Sequence, residues 1–316
     1  MDDNQRVALI GKSGSGKTVS TLAIFGLLSA TPGVIRGKAL FRDMDLLAGI
    51  NQGVEIHNHP VHHQTIAVSH QWQQEFRRRT QSVLGKYVGF VFQEPYQALD
   101  PYFTIGEQLM EVYRHHEQDM DKRSVERQAI ETLSEFRFSN PQKIFRLYPH
   151  ELSGGMCQRI TIMLALAGNP GLVIADEPTT ALDTVTRYEI MRILIQEQTK
   201  RRLSLLFITH DMKLVRSSFQ KIAVMANGLL IEWGNHDHFF GTANNLNHPY
   251  TRSLLGKDAV SIGVSKFDAM EIKRMLEEGG CRHLPDCPIP NDDCRHDSGF
   301  IEVEPEHFVR CHRVGD

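Results

Sequence analysis

The most constraining feature of the sequence is a glycine-rich loop between an apolar segment and a segment with helical periodicity. The loop fits the pattern G-x-x-x-x-G-K-[ST], and the apolar segment Arg6 to Ile10 before it predicts a short buried strand. Glycines let successive backbone N–H groups point inward as an anion nest, and a helix N-terminus adds a positive dipole. We therefore predict a loop that binds the phosphates of a nucleoside triphosphate through Gly11, Ser13, Gly14, Ser15, Gly16, Lys17 and Thr18.

Two side chains of the loop have distinct predicted roles. Lys17 provides a point charge for the β- and γ-phosphates, and the hydroxyl of Thr18 suits Mg²⁺. Both predictions require the context of strand, loop and helix that the flanking segments favour.

The acidic half of the predicted site lies far along the chain. Leu172 to Ala175 form an apolar run that is typical of a central parallel strand, and Asp176 and Glu177 follow it. Ligands of such sheets collect at the carboxyl ends of the strands. We predict that Asp176 holds Mg²⁺, that Glu177 polarises the attacking water, and that His210, after another apolar run, contacts the γ-phosphate.

The order of these motifs resembles that of the ATP-binding cassette (ABC) ATPases. Val91 to Pro95 resembles the Q-loop, Leu152 to Gln158 the signature motif, Thr180 to Asp183 the D-loop, and His210 the switch histidine. The resemblance implies a catalytic and Mg²⁺-binding role for Gln93. It also implies ATP-binding roles for Ser153, Gly154, Gly155 and Asp183, with the Ser–Gly–Gly turn contacting the γ-phosphate held by a partner cassette.

Three further segments resemble the oligopeptide/dipeptide/nickel importer branch of this family: Leu99 to Gln108, Tyr148 to Glu151 and His248 to Arg252. The resemblance implies an ATP-hydrolysing subunit that energises import of peptides, or of nickel or other small solutes. It implies two integral membrane permease subunits, a second ABC ATPase in a heterodimer, and an extracytoplasmic substrate-binding protein as partners. The chain is expected to be peripheral, on the cytoplasmic face of the cytoplasmic membrane; the solute is not encoded.

Charge and hydropathy limit which classes of protein the chain can belong to. The net charge of −3 predicts no overall positive potential that would attract nucleic acid. No apolar run approaches the ~18 residues of a membrane span. The polar start Met1 to Asn4 predicts no signal peptide. A soluble ABC ATPase that acts on DNA or ribosomes is the alternative, and a single phosphate loop without sustained heptads disfavours it.

The predicted fold is an α/β P-loop NTPase with a mostly parallel sheet. We expect an ABC ATPase domain over 1–240, with a helical subdomain at about 94–169 and a histidine-rich insertion at about 50–82. Leu229 to Gly234 is expected to be the last strand of this core. A cysteine-rich extension is expected over 241–316.

Two departures from the family pattern concern the N-terminal half. Family members carry N-terminal strands with an aromatic residue that stacks on adenine, and no such segment precedes Arg6, so either the start is truncated or another aromatic residue serves. The insertion forms either a metal site or, by preference, a solvated surface loop with an amphipathic helix over Gln71 to Thr80. Its histidines are His57, His59, His62, His63 and His70.

Four of the five cysteines lie near the C-terminus in the spacing C-x5-C-x6-C-x16-C. Cys281, Cys287, Cys294 and Cys311 favour a [4Fe–4S] cluster, which four cysteine thiolates usually hold; zinc or unligated cysteines are the alternatives. These cysteines also resemble a motif of the peptide-importer branch. The fifth, Cys157, is either a tolerated small residue or a thiol whose pKa is lowered near a helix N-terminus.

Overall fold

The computed structural model describes residues 3–30, 33–59, 63–116, 119–180, 182–241, 247–256 and 268–314, with side chains left out at 58, 59, 63, 64 and 269. The strands are β1 (Arg6–Ile10), β2 (Leu40–Phe41), β3 (Met44–Asp45), β4 (Val54–His59), β5 (His63–Val68), β6 (Val88–Val91), β7 (Leu172–Asp176), β8 (Ser204–Thr209), β9 (Lys221–Ala226), β10 (Leu229–Asn235), β11 (Ile301–Glu304) and β12 (His307–Val309).

The helices alternate with these strands over much of the chain. They are α1 (Lys17–Ile24), α2 (Ile50–Gly53), α3 (His70–Val83), α4 (Pro95–Ala98), α5 (Ile105–His116), α6 (Lys122–Glu135), α7 (Pro141–Arg146), α8 (Gly154–Ala167), α9 (Thr184–Arg201), α10 (Met212–Ser218), α11 (His236–Phe240), α12 (Pro249–Leu254) and α13 (Ala269–Glu277). Short 3-10 helices occur at Pro149–Glu151, Leu284–Asp286 and Asp292–Arg295.

The chain divides into two compact units. The first comprises Met1–Lys17, Ala175–Glu177 and Arg202–Asp316, and the second comprises Thr18–Ile174 and Pro178–Arg201. The first unit therefore contains the phosphate loop and the acidic pair, and the second contains the Q-loop, signature and D-loop segments. The predicted boundary at residue 240 stays a prediction.

The sheet of the first unit has the strand order β11-β12-β10-β9-β1-β8. β1 pairs in parallel with both β8 and β9, and Ile10 is in register with Thr209 on one side and Val224 on the other. Because the carboxyl ends of β1 and β8 meet at one edge, the residues that follow them, Gly11 and His210, lie at the same edge.

The antiparallel part of this sheet corrects one expectation. β1 pairs in parallel with β8 and β9, whereas the pairs β9–β10, β10–β12 and β11–β12 are antiparallel. The segment at Leu229 to Gly234 forms β10 but is not the last strand, because Val309 and Phe308 of β12 pair with Glu232 and Trp233. The C-terminal segment thus extends the same sheet.

A buried carboxylate fixes the segment before α12 to β10. Glu232 is completely buried and accepts hydrogen bonds from the backbone N–H of His248 (2.9 Å), from Nδ2 of Asn247 (2.5 Å) and from Nε2 of His307 (2.9 Å). A buried carboxylate persists only when such donors surround it. This network sets the start of α12, which contains Tyr250.

In the histidine-rich insertion of the second unit, the segment predicted as a solvated loop is largely solvent-exposed, as predicted, but it forms two strands. β4 and β5 form an antiparallel hairpin, and the predicted amphipathic helix is α3. Trp72 and Phe76 of α3 stack at 5.2 Å and are buried with residues before, in and after α2, namely Leu47, Ile50 and Val54. Burial of aromatic rings on one helix face explains why the segment is ordered.

The histidines of the insertion give no support to a metal site. His57 lies 3.3 Å from the carboxylate of Glu55, and both side chains are exposed. His62 lies outside the described residues, as do the side chains of His59 and His63. Across the part of the chain that the structure describes, no group of three or more His, Cys, Asp or Glu side chains could hold a metal ion.

Candidate active site

The phosphate loop is anchored on both of its sides to strands of the first unit. A Cβ atom at Gly11 would lie 2.2 Å from the carbonyl oxygen of Met225 in β9, so only glycine fits. The carbonyl of Ser15 accepts a hydrogen bond from the N–H of Gly228 (3.0 Å) in the turn between β9 and β10. Asn227 and Gly228 both have positive φ angles, as a two-residue hairpin turn of this sequence requires.

The side chain of Lys17 is buried at the centre of the loop. Its Nζ donates to the carbonyl oxygens of Gly11 (2.9 Å) and Lys12 (3.0 Å). Burial lowers the pKa of Lys17, while the carboxylates of Glu177 and Asp176 act in the opposite direction. The ammonium group therefore lies close to both predicted acidic residues.

The acidic pair lies at the end of β7, as predicted. Asp176 is buried, and the N–H of Glu177 donates to the carbonyl of Ile208 in β8 (2.9 Å). Glu177 has a left-handed backbone with a φ of 43°, which is unfavourable for a residue other than glycine. Backbone strain of this kind concentrates at functional sites, where surrounding contacts maintain it.

His210 lies beside Glu177 at the same edge of the sheet. Its Nδ1 is 3.2 Å from Oε1 of Glu177, and the imidazole is more exposed than the carboxylate. The structure thus brings together Lys17, Asp176, Glu177 and His210, which are up to 193 positions apart in the sequence. This arrangement can bind a phosphate chain and place a carboxylate and an imidazole beside its end.

Tyr250 is a neighbour of the phosphate loop that the sequence reasoning missed. Its hydroxyl accepts a hydrogen bond from the backbone N–H of Lys12 (2.7 Å), and its ring lies against the Lys12 side chain, with Nζ 5.8 Å from the ring centroid. The only sequence signal was the resemblance of His248 to Arg252 to an importer motif, which carries no physical role by itself.

The signature segment of the second unit forms the N-terminus of α8. The Oγ of Ser153 accepts from the N–H of Met156 (3.4 Å) and caps the helix. A Cβ atom at Gly155 would lie 2.5 Å from Cγ2 of Thr186, so α9 packs closely on this turn. Two glycines at a helix N-terminus leave backbone N–H groups available for an anion.

Asp183 of the predicted D-loop begins α9. It accepts from the N–H groups of Val185 and Thr186 (both 3.0 Å) and from the Thr186 hydroxyl (2.6 Å), which lowers its pKa. The neighbouring Ala181 lies outside the described residues. Asp183 is thus an N-terminal cap that orders the residue packed on Gly155.

The remaining predicted nucleotide and Mg²⁺ ligands occupy exposed or partly exposed positions. Gln93 follows β6 and is exposed, and Thr18 is in the first turn of α1 with its carbonyl accepting from the Thr21 hydroxyl (2.9 Å). Ser13 and Gly14 are exposed at the tip of the loop, and Gly16 is partly buried. The roles of these residues stay predictions.

The four C-terminal cysteines line one cavity of about 30 Å³ in the first unit. Burial and the other thiols raise the pKa of Cys287 and of Cys311 to about 11. Burial also raises the pKa of Cys281, with a contribution from Cys294. His248 and His283 line the same cavity, and burial lowers their pKa values to about 3 and about 4.

Cys157 in α8 agrees with the preferred of its two interpretations, a tolerated small residue. Its thiol is buried and donates to the carbonyl of Pro149 (3.5 Å). Burial raises its pKa, so the option of a lowered pKa at the helix N-terminus is wrong. Desolvation of the thiolate outweighs the hydrogen bond with Tyr96, which acts to lower the pKa.

A phosphate loop, an acidic pair at a strand end, a histidine at the next strand end and a Ser–Gly–Gly helix N-terminus define an ATPase of the ATP-binding cassette class. The comparison with protein families agrees: the model described as "ABC transporter" matches residues 1–180, more than half of the chain. The chain belongs to the ABC transporter family.

Curated relatives match nearly the whole chain. "Dipeptide transport ATP-binding protein DppD" of Haemophilus influenzae is 34% identical over 315 residues, covering 97% of this chain and 85% of that protein. "Oligopeptide transport ATP-binding protein AppD" of Bacillus subtilis is 34% identical over 313 residues, covering 97% and 86%.

Solved structures confirm the fold. The dimeric cassette MJ0796 bound to ADP and Pi aligns with a TM-score of 0.56 at 24% identity, covering 75% of this chain and 87% of that one. The cbiO1 structure from Clostridium perfringens aligns with a TM-score of 0.55 at 21% identity, covering 77% and 81%. Within the described residues, none of the helices has the length and apolar character needed to cross a membrane.

Proposed function

We propose that this chain is the ATP-hydrolysing subunit of an ABC importer that moves peptides across the cytoplasmic membrane. The observation that carries the proposal is the site formed by Lys17, Glu177 and His210 at the edge of the sheet. The curated relatives, which match 97% of the chain, are named as ATP-binding proteins of dipeptide and oligopeptide transport. Nickel and other small solutes remain within the proposal, because the ATP site does not contact the solute.

At the phosphates, the loop N–H groups and Lys17 bind the β- and γ-phosphates. Glu177 orients the attacking water and accepts its proton, while His210 contacts the γ-phosphate and holds the Glu177 carboxylate through Nδ1. Thr18, Asp176 and Gln93 are the residues that would hold Mg²⁺, which would supply positive charge to offset that of the phosphates.

The signature turn is proposed to act on a different nucleotide. Ser153, Gly154 and Gly155 present backbone N–H groups at the start of α8, and in a pair of cassettes they face the γ-phosphate bound by the partner. Asp183 supports this turn through Thr186. We propose a second ABC ATPase as the partner, in a heterodimer.

A groove in the second unit is the proposed contact with the membrane subunits. Its volume is about 490 Å³, and its lining is mostly apolar, including Phe90, Phe92, Val112, Leu164 and Ala165. It lies between β6 and the helices α5 and α8 of the proposed helical subdomain, about 94–169. Two integral permease subunits would place the chain peripherally at the cytoplasmic face, with a substrate-binding protein outside.

Affinity purification from membranes tests this function. Tagged chain should recover integral membrane proteins and a second ABC ATPase after detergent extraction. Recovery of ribosomes or nucleic acid in their place would contradict the importer proposal and support the alternative of a soluble ABC ATPase acting on DNA or ribosomes.

Lys17→Ala is expected to weaken ATP binding about tenfold, because a hydrogen bond from a charged group is lost in a buried position. The measurement is the Kd for ATP of the full chain. Lys213→Ala removes the same charge from an exposed position on α10 and is expected to leave the Kd unchanged. Equal affinities of the wild type and Lys17→Ala would contradict the assignment.

The four tail thiols are the proposed ligands of a [4Fe–4S] cluster in the extension over 241–316. Support comes from their position around one cavity, where burial raises the pKa of Cys281, Cys287 and Cys311. Four cysteine thiolates are the usual ligands of a [4Fe–4S] cluster, but among the described residues no group of side chains is already placed to hold a metal ion. The small cavity requires the thiols to move apart, so loading is coupled to local folding.

Anaerobic purification with metal and sulfide analysis checks the cluster. About four irons per chain are expected, with broad visible absorbance. Cys287→Ser should release the iron, whereas Cys157→Ser, a change at a buried cysteine outside the cavity, should retain it. Stoichiometric zinc without iron would favour the zinc alternative, and the absence of both metals would reject the site.

A further inference from the structure

The cysteine tail reaches the phosphate loop through Tyr250. The ring of His283, in the wall of the thiol cavity, makes an edge-on contact with the ring of Tyr250 at a centroid distance of 5.2 Å and an angle of 81°. The Tyr250 hydroxyl in turn accepts from the N–H of Lys12 at 2.7 Å. The cavity wall is therefore linked to the loop by two successive contacts.

A second route runs through the turn between β9 and β10. Nδ2 of Asn227 donates to the carbonyl of Arg282 (2.9 Å), and the N–H of Gly228 donates to the carbonyl of Ser15 (3.0 Å). The same tail segment, 281–283, thus contacts both Tyr250, which binds the backbone of Lys12, and the turn whose Gly228 binds Ser15. The two routes share no residue outside that segment.

The segment 281–283 is itself positioned by the thiol cavity. The N–H of Cys281 donates to the carbonyl of Cys294 (3.0 Å), and both side chains line the cavity. Nδ1 of His283 is buried and has no hydrogen-bond partner among the described residues. A displacement of the thiols therefore moves the segment whose His283 ring contacts Tyr250 and whose Arg282 carbonyl binds Asn227.

Tyr250 contacts the part of the loop whose carbonyl groups bind the ammonium group of Lys17. Nζ of Lys17 is bound by the carbonyls of Gly11 and Lys12, and the Lys12 N–H is the group that Tyr250 fixes. A shift of Lys12 therefore displaces the ammonium group that is proposed to bind phosphate.

We propose that Tyr250 is a positioning residue for the phosphate loop and that the tail segment 281–283 controls it, so that the state of the tail thiols sets the affinity of this subunit for ATP. The inference rests on the proposed ATP-binding function of the loop. Because coupling between two sites is reciprocal, bound ATP changes the stability of the tail site by the same factor.

The first test is the Kd for ATP of the full, anaerobically purified chain. Tyr250→Phe keeps the ring and removes the hydroxyl, and it is expected to weaken ATP binding about two- to twelvefold, the effect of one net hydrogen bond. Asn227→Gly keeps the left-handed turn and removes the bond to Arg282, and it should weaken binding in the same direction. Tyr188→Phe removes an exposed hydroxyl on α9 and should leave the Kd unchanged.

The second test is a mutant cycle in which the proposed coupling and a purely structural role predict different changes in the Kd for ATP. Cys281→Ser is expected to weaken ATP binding at least twofold in the wild-type background and to have no further effect when Tyr250→Phe and Asn227→Gly are both present. An equal loss in both backgrounds, or Kd values unaffected by Tyr250→Phe and Asn227→Gly, would overturn the inference. Failure of the wild-type chain to bind ATP would instead reject the proposed function.

Discussion

Replacing Glu177 by glutamine is expected to lower ATP turnover of the assembled transporter about 10²- to 10⁴-fold, the contribution of one positioned general base. The amide keeps the size of the side chain and its position at the end of β7 but cannot accept the proton of the attacking water. ATP binding should persist, because Lys17 and the loop N–H groups are unchanged. The measurement is phosphate release under saturating ATP.

The trapped state of this variant provides a second readout. With ATP bound and not hydrolysed, Glu177→Gln should accumulate as a closed pair of cassettes, visible as a larger sedimenting species. Glu126→Gln, the same change at an exposed position of α6, should turn over ATP normally. Near-normal hydrolysis by Glu177→Gln would show that another group is the base.

Gly155→Ala is expected to reduce turnover about 10²-fold through displacement of the signature turn. The added Cβ would lie 2.5 Å from Cγ2 of Thr186, roughly 1 Å inside ordinary carbon–carbon contact. A misplacement of about 1 Å at a group that positions a reacting phosphate costs about 10² in rate. The loss should appear in turnover of the complex, while ATP binding by the isolated chain stays unchanged.

A second substitution separates displacement from general damage. Thr186→Ser removes the methyl group that blocks the new Cβ and keeps the hydroxyl bonded to Asp183. In the Gly155→Ala background it should restore turnover to within about tenfold of the wild type, because the close contact is relieved. Wild-type turnover by Gly155→Ala alone, or no recovery in the double variant, would contradict this role of the turn.

The nucleotide half of the site was predictable because it depends on local chemistry. β1 and β7 are apolar runs that end in a phosphate loop and in an acidic pair, and parallel pairing places such ends at one edge. The position of His210 at the same edge, directly after β8, follows from the same rule. Neither inference required knowledge of long-range packing.

Features that depend on long-range packing were not predictable. The hairpin β4–β5 pairs Val54 with Val68 and Ile56 with Ile66 on one face, and its order comes from the packing of Val54 and Val68 with Trp72 and Phe76 of α3, which the hairpin segment alone does not reveal. The short strand β12 joins the sheet through β10, and nothing local marks it as a strand. The pKa of Cys157 follows its burial, which only the packed helix reveals.

The contact of Tyr250 with the phosphate loop was also not predictable from the sequence. The sequence motif that contains Tyr250 was visible. Its hydrogen bond to Lys12, however, depends on Glu232 of β10, which fixes the start of α12. Contacts that span 238 positions are set by the tertiary fold and not by any local pattern.

ATP-dependent uptake of a labelled dipeptide or oligopeptide into vesicles that contain the assembled transporter tests the central claim most directly. Uptake is predicted to require enclosed ATP and to fall to background when the wild-type chain is replaced by Glu177→Gln at equal membrane content. Undiminished ATP-dependent uptake with Glu177→Gln would contradict the claim that hydrolysis at this site energises peptide import.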